Sequence, residues 1–198
     1  MKRIFFINAI AAVFILAFTG CIKNDPVLIN VVKAEFDATA LNANAAGKTF
    51  PIIPRIPGFG RAVSTSLDST LRRSSGTISI RINLVGRQSS KEETVSYSVS
   101  PVSGLDSTIF PATIAGQSPS APSGKIFITN AVAGTHYGAL SGIVTIPANS
   151  SFGFLIINIL NPGPTPAAGR YLGLKLTELG TIKPSFNYSE LGLIIDQR

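Results

Sequence analysis

The segment TISIRINLVG, residues 77–86, alternates apolar and polar residues with the two-residue period of a β-strand. Its three isoleucines and Leu84 would lie on one face of the strand, and Ser79, Arg81 and Asn83 on the other. This pattern predicts a half-buried strand, with one face against a core and the other face in contact with solvent.

Runs suited to strands occupy much of the rest of the chain. They lie at 27–36, 94–100, 125–129, 142–148, 152–160, 170–178 and 191–196. In the run at 94–100 we expect Val95, Tyr97 and Val99 to face the core. Turn-forming residues separate the runs, and no run of ten residues after the N-terminal segment has the period of a helix. The sequence therefore predicts an all-β fold, an antiparallel sandwich of seven to eight strands.

Two long segments interrupt this pattern. Residues 101–125 are rich in Pro, Ser and Gly, which predicts a long loop. Residues 38–75 form a Pro/Gly-rich insertion, in which Pro51, Pro54 and Pro57 exclude a central strand because proline has no N–H to donate.

The insertion also carries apolar side chains. They are Phe50, Ile52, Ile53, Ile56 and Phe59. Exposing all of them to water would be unfavourable, because burying one such side chain stabilises a protein by roughly 1.5 to 3 kcal/mol. We expect them to pack along the sandwich or to be covered by a partner, and we expect residues 64–75 to be mobile.

The N-terminal segment has the organisation of a secretory signal peptide. Lys2 and Arg3 precede an apolar run, residues 4–18, in which Asn8 is the only polar residue. The run is shorter than the roughly 20 apolar residues that span a bilayer as a helix. We expect residues 1–20 to be removed as a signal peptide; an uncleaved membrane anchor is the alternative.

Cys21 directly follows this segment and is the only cysteine, so it cannot form an internal disulfide. The sequence FTGC, residues 18–21, resembles the lipobox of bacterial lipoproteins, although Phe18 stands where Leu is usual. The resemblance implies that lipid is attached to Cys21 and anchors the chain in the bacterial cell envelope, at the outer membrane. Residues 21–26 would then form a tether and residues 27–198 a single domain.

The stretch AVAGTHYGALSGIVTIPANSS, residues 131–151, resembles the signature of Calx-beta domains, in which an Ala-Gly-Thr-Asp-Tyr turn precedes a strand that ends in Ile-Pro. Residues 75–86 and 94–99 resemble the two strands before this turn, and 152–160 and 170–178 the two strands after it. The resemblance implies an immunoglobulin-like sandwich. In that arrangement Gly134 allows a turn with positive φ, and Tyr137 buries its ring.

The same comparison argues against a calcium site. Calcium-binding Calx-beta domains use clustered acidic loop residues, because calcium prefers six to eight oxygen ligands. Here the corresponding loop, residues 161–169, has no carboxylate, and His136 replaces the turn aspartate. We expect Glu92 and Glu93, an adjacent acidic pair, to be solvated. We therefore expect no metal site, with a calcium-binding adhesion module kept as an alternative.

No motif indicates catalysis or a cofactor. His136 is the only histidine, and neither a nucleophile motif nor a zinc-ligand pattern is present. The net charge of +7 is scattered, with Arg72 and Arg73 as the closest basic pair after the signal segment, and the chain has no Trp. We expect no nucleic-acid partner, because such proteins combine a basic stripe with stacking aromatic residues.

Binding and structural roles remain. We expect a membrane-anchored lipoprotein that binds a protein or a glycan; a purely structural component of an outer-membrane assembly is the alternative. The candidate partner-binding residues are Phe50, Arg55 and Phe59, of which the two phenylalanines lie in predicted loops. The absence of Trp favours a protein partner over a sugar.

Overall fold

The computed structural model describes residues 31–37, 49–61, 67–103, 127–166 and 168–198. These ranges form ten β-strands: β1 Lys33–Phe36, β2 Ile52–Ile53, β3 Thr77–Val85, β4 Glu93–Val99, β5 Phe127–Asn130, β6 Ile143–Ile146, β7 Phe152–Asn158, β8 Ala168–Thr177, β9 Lys183–Pro184 and β10 Glu190–Asp196. Within them no residue is helical, and so no helix capable of crossing a membrane is found there.

The strands form two sheets. Sheet 1 has the order β7-β3-β1-β9, and sheet 2 has the order β2-β10-β8-β4-β6, with β5 also paired to β8. The predicted all-β sandwich is confirmed. Wholly antiparallel pairing is wrong, because β9, β2 and β5 pair in parallel with β1, β10 and β8. A hairpin can join only antiparallel strands, whereas these short strands reach their neighbours through long connections.

The main core lies between the two sheets. In β3, Ile78, Ile80 and Ile82 are buried and the residues between them are more exposed, as the alternation predicts. In β4, Val95 and Tyr97 are buried as predicted, but Val99 is 40% exposed because it lies at the end of the strand.

Sheet 2 is also covered on much of its outer face. A second apolar cluster packs there, formed by Ile52, Tyr171 and Ile194 with Phe50, Val102 and Ile128 against them. Burial on both faces explains why every residue of β10 from Leu191 onwards is buried, and why the alternation in β8 is imperfect.

The proline-rich segment packs along the sandwich, as expected for its apolar side chains. β2 lies at the edge of sheet 2, where proline is tolerated, and Ile52 and Ile53 are buried. Residues 67–75, the described part of the segment predicted to be mobile, are hydrogen-bonded to their neighbours. Their backbone is held on both sides: Leu71 donates to the Pro54 carbonyl, and its own carbonyl accepts from Asp196, at 2.9 and 2.8 Å.

Candidate functional site

A cleft of 590 Å³ lies between the segment preceding β2 and the loop that joins β9 to β10. Its lining consists of Thr49, Phe50, Phe186, Asn187, Tyr188, Ser189 and Glu190. The volume falls in the range of about 300 to 1,000 Å³ that is typical of small-molecule sites. Three of the lining side chains are aromatic, and three are neutral and polar.

The loop that forms one wall of the cleft is held by both sheets. The backbone N–H of Phe36, in sheet 1, donates to the carbonyl of Tyr188 at 2.9 Å. The N–H of Leu176, in sheet 2, donates to the carbonyl of Ser189 at 2.8 Å. Tyr188 itself has a φ of 49°, a left-handed conformation that the two neighbouring bonds hold in place.

Phe186 projects from this fixed loop and is fully exposed. It lines the cleft together with Phe50 and Tyr188, so that three aromatic side chains form one apolar surface that a ligand could contact. On the opposite wall, Phe50 is half-buried because it packs against the cluster of Ile52, Tyr171 and Ile194. The cleft therefore has a fixed wall on each side.

The charge at the cleft is balanced. Glu190 forms an ion pair with Lys175, its direct partner across β10 and β8. Behind Phe50, in the second apolar cluster, burial and secondarily the charge of Glu190 raise the pKa of the Tyr171 hydroxyl to about 12. The cleft thus offers neutral hydroxyl and amide groups beside aromatic rings, with no uncompensated carboxylate from Glu190.

A second group of apolar side chains, three of them exposed and Phe59 half-buried, lies on the outer face of sheet 1. We call it the aromatic patch and define it by Phe59, Phe152, Phe154 and Ile156. The rings of Phe59 and Phe152 lie 5.3 and 5.4 Å from that of Phe154. The guanidinium of Arg81 lies 5.5 and 5.4 Å from the ring centres of Phe59 and Phe152, and it also pairs with Asp37 at 2.5 Å.

The structure separates the three residues that the sequence suggested for partner binding. Phe50 lines the cleft, whereas Phe59 belongs to the aromatic patch. Arg55 belongs to neither group. Its Nη1 donates to the backbone carbonyl of Asp68 at 2.7 Å and stabilises the local turn. Cys21, the predicted lipid-attachment residue, lies outside the described residues.

Sequence reasoning missed Phe186 and Tyr188. The only local signal is two aromatic residues within the polar stretch SFNYSE, residues 185–190. Such residues are normally expected to pack inward. Their placement at a cleft follows from the bonds to Phe36 and Leu176, which are distant in sequence.

His136 has a structural role in its turn. Its Nδ1 accepts a hydrogen bond from the N–H of Val132 at 2.9 Å, and the residue is buried. Burial, and secondarily the nearby charge of Arg170, lower the pKa of the imidazole. Across the described ranges, no three His, Cys, Asp or Glu residues come together as a metal site would require.

Comparisons with known proteins give only distant likenesses. No family model and no curated protein matches the chain. The apo form of the Calx CBD1 domain has a TM-score of 0.45 at 10% identity, covering 84% of this chain and 98% of that chain. A protein of unknown function from Bacteroides ovatus has a TM-score of 0.43 at 16% identity, covering 82% of this chain and 43% of its own. These likenesses are too distant to carry a function to this chain.

Proposed function

We propose that this chain is a non-catalytic binding module of the bacterial cell envelope, that lipid on Cys21 anchors it at the outer membrane, and that the cleft binds a glycan. The observation that carries the binding role is the fully exposed ring of Phe186, held beside Phe50 and Tyr188 by a loop that both sheets fix. This arrangement keeps an apolar surface available to a ligand.

The chemistry of the lining favours a glycan over a charged ligand. A sugar ring has apolar C–H faces, which pack on aromatic rings, and hydroxyl groups at its rim. Thr49, Asn187 and Ser189 supply hydroxyl and amide groups that both donate and accept hydrogen bonds. Glu190 is already paired with Lys175, so a cationic ligand would have to compete with an existing partner.

The non-catalytic part of the proposal has its own support. General acid or base catalysis needs a titratable group that is free to exchange a proton with the substrate. At the cleft, Glu190 is held by Lys175. Elsewhere, His136 is buried in its turn, where its Nδ1 accepts a hydrogen bond from the N–H of Val132.

A glycan array followed by calorimetry on the mature domain tests the cleft. We expect Phe186→Ala to weaken the binding of any glycan found by at least tenfold, and we expect Phe154→Ala, a matched loss of an exposed ring in the aromatic patch, to leave it unchanged. Equal effects of the two variants, or no glycan bound, would contradict the glycan proposal. Mass spectrometry of the mature N-terminus tests the lipid on Cys21 separately.

A protein partner at the aromatic patch is the second candidate function. Phe152, Phe154 and Ile156 are all exposed and follow one another on the outer face of β7, which is the kind of contiguous apolar surface found at protein interfaces. Crosslinking in intact envelopes distinguishes the two candidates. A partner crosslink that Phe154→Ala removes and Phe186→Ala retains would favour this second function.

A further inference from the structure

The end of the sandwich at which β1 begins is built from three turns and the start of that strand. We call it the anchor end and define it as residues 31–33, 86–93, 147–151 and 178–183. Lys33 pairs with Val85 at the end of β3 and with Lys183 in β9. The turns also contact each other, since the N–H of Asn149 donates to the carbonyl of Ser89 at 2.7 Å.

The chain enters the fold at this end. A Cβ on Gly86 would lie 3.4 Å from the Cα of Val32, so the β3–β4 turn packs directly against the entering chain. The proposed lipid-bearing Cys21 precedes Val31 by the short stretch 22–30. Because a fully extended chain spans at most about 3.3 to 3.6 Å per residue, Val31 can lie no more than about 35 Å from the anchor.

The anchor end presents apolar side chains to solvent. Leu179 is 88% exposed, and Val31 is 59% exposed. The turn that carries Leu179 is held firmly at the start of β4: the N–H of Ile182 donates to the carbonyl of Thr94 at 3.1 Å, and the N–H of Thr94 donates to the Oγ1 of Thr181 at 2.8 Å. Leu179 is therefore a fixed apolar tip.

The charges of this end are compatible with a membrane surface. Its cations are Lys33, Arg87, Lys91 and Lys183, and its acids are Glu92, Glu93 and Glu178. Glu178 lies 3.7 Å from Lys183, so this pair adds no net charge, and Glu93 accepts a hydrogen bond from Ser89 at 2.8 Å. The small positive excess gives weak attraction to anionic headgroups, and apolar contact supplies the rest.

We propose that the anchor end rests on the bilayer that holds the lipid on Cys21, with Leu179 and Val31 entering the headgroup region. This inference rests on the proposed lipid anchor. The inference adds an orientation to that anchor. The turns that include Leu179 contact the membrane, and the opposite end of the sandwich, where β5 and β8 begin, points away from it.

The chain has no Trp, so single tryptophans report on single positions. Full-length Leu179→Trp and Phe127→Trp proteins, expressed with their N-terminal segment in a bacterial envelope and purified, are reconstituted in phosphatidylethanolamine–phosphatidylglycerol vesicles, floated, and quenched with lipids brominated at different depths. Phe127 is the matched control: it is exposed and pairs with Ala168, at the end of β8 remote from Thr177.

We expect both proteins to float, and we expect a blue-shifted emission and quenching by shallow bromines for the tryptophan at 179 only. If both float and the two tryptophans are equally accessible to water, or equally quenched, the orientation is wrong and the lipid anchor stands. If neither protein floats, the lipid anchor is wrong and this inference falls with it.

Discussion

The ring of Tyr171 fills the space over Gly192 that a side chain would otherwise occupy. A Cβ on Gly192 would lie 2.6 Å from Cε2 of Tyr171, and one on its cross-strand partner Gly173 would lie 2.7 Å from Cε1 and the hydroxyl oxygen. The two paired glycines thus leave a slot for the ring. This packing explains why Tyr171, on the outer face of sheet 2, is only 2% exposed.

Adding a methyl group in this slot is expected to destabilise the fold. Gly192→Ala should lower the free energy of unfolding by about 1 to 3 kcal/mol, because overpacking displaces the ring. Gly138→Ala is the matched control, since its Cβ would meet only ordinary contacts at 3.5 Å or more and its φ is not in the left-handed region. Denaturant unfolding measures the free energy of unfolding of both variants. Equal values would contradict the prediction that Tyr171 occupies the space over Gly192.

The buried pair of Asp37 and Arg81 is expected to matter more than the exposed pair of Glu178 and Lys183. Asp37 is 1% exposed, and its Oδ2 lies 2.5 Å from Nη2 of Arg81. Asp37→Ala leaves a largely buried cation and should cost about 3 to 5 kcal/mol. Glu178→Ala should cost about 0 to 1 kcal/mol, as surface pairs do. Similar thermal shifts for the two variants would contradict this ordering.

Acidification is expected to destabilise the protein through His136. Burial lowers the pKa of this imidazole below 6.5 in the folded state. As pH falls below 6.5, the unfolded state therefore takes up more protons, and the free energy of unfolding decreases until the folded pKa is passed. His136→Asn retains an acceptor for Val132 and does not titrate. Its stability should fall less between pH 7.5 and 5; an identical pH dependence would rule out this role.

Trypsin is expected to spare the segment that sequence reasoning took to be mobile. The N–H of Arg73 donates to the carbonyl of Asp196 at 2.9 Å, and the backbone of Arg72 forms a parallel β-bridge with the backbone of Asp196. Cleavage there requires the segment to detach from β10. We expect the exposed turn at Arg87 and Lys91 to be cut before Arg72 and Arg73. Early cuts at Arg72 or Arg73, located by mass spectrometry, would contradict this.

The sequence predicted the strands that carry a clear period. β3 and β7 alternate because one face of each is buried, and both were located within a few residues. β9, with only Lys183 and Pro184, is too short to show any period. The strand predicted at 191–196 is β10; it has a continuous apolar run rather than a period, because the second cluster covers its outer face.

The candidate site was predictable only in part. Phe50 was singled out because a large apolar side chain stood among prolines, and it does line the cleft. The sequence could not show that Arg55 has a structural role. Its guanidinium donates to the backbone carbonyl of Asp68, and this contact depends on how the chain between the two residues turns. Phe186 was missed because its exposure is set by hydrogen bonds that Phe36 and Leu176 make across the fold.

The double attachment of the β9–β10 loop has a consequence for how tightly a ligand can be held. A flexible loop must lose conformational freedom when it closes on a ligand, and this loss weakens binding by roughly 0.5 to 1.5 kcal/mol for each side chain immobilised. Here the bonds from Phe36 and Leu176 have already ordered the backbone during folding. For the proposed glycan the cleft is preorganised, so its binding should involve little rearrangement, and variants of the loop should alter chiefly how fast the glycan leaves.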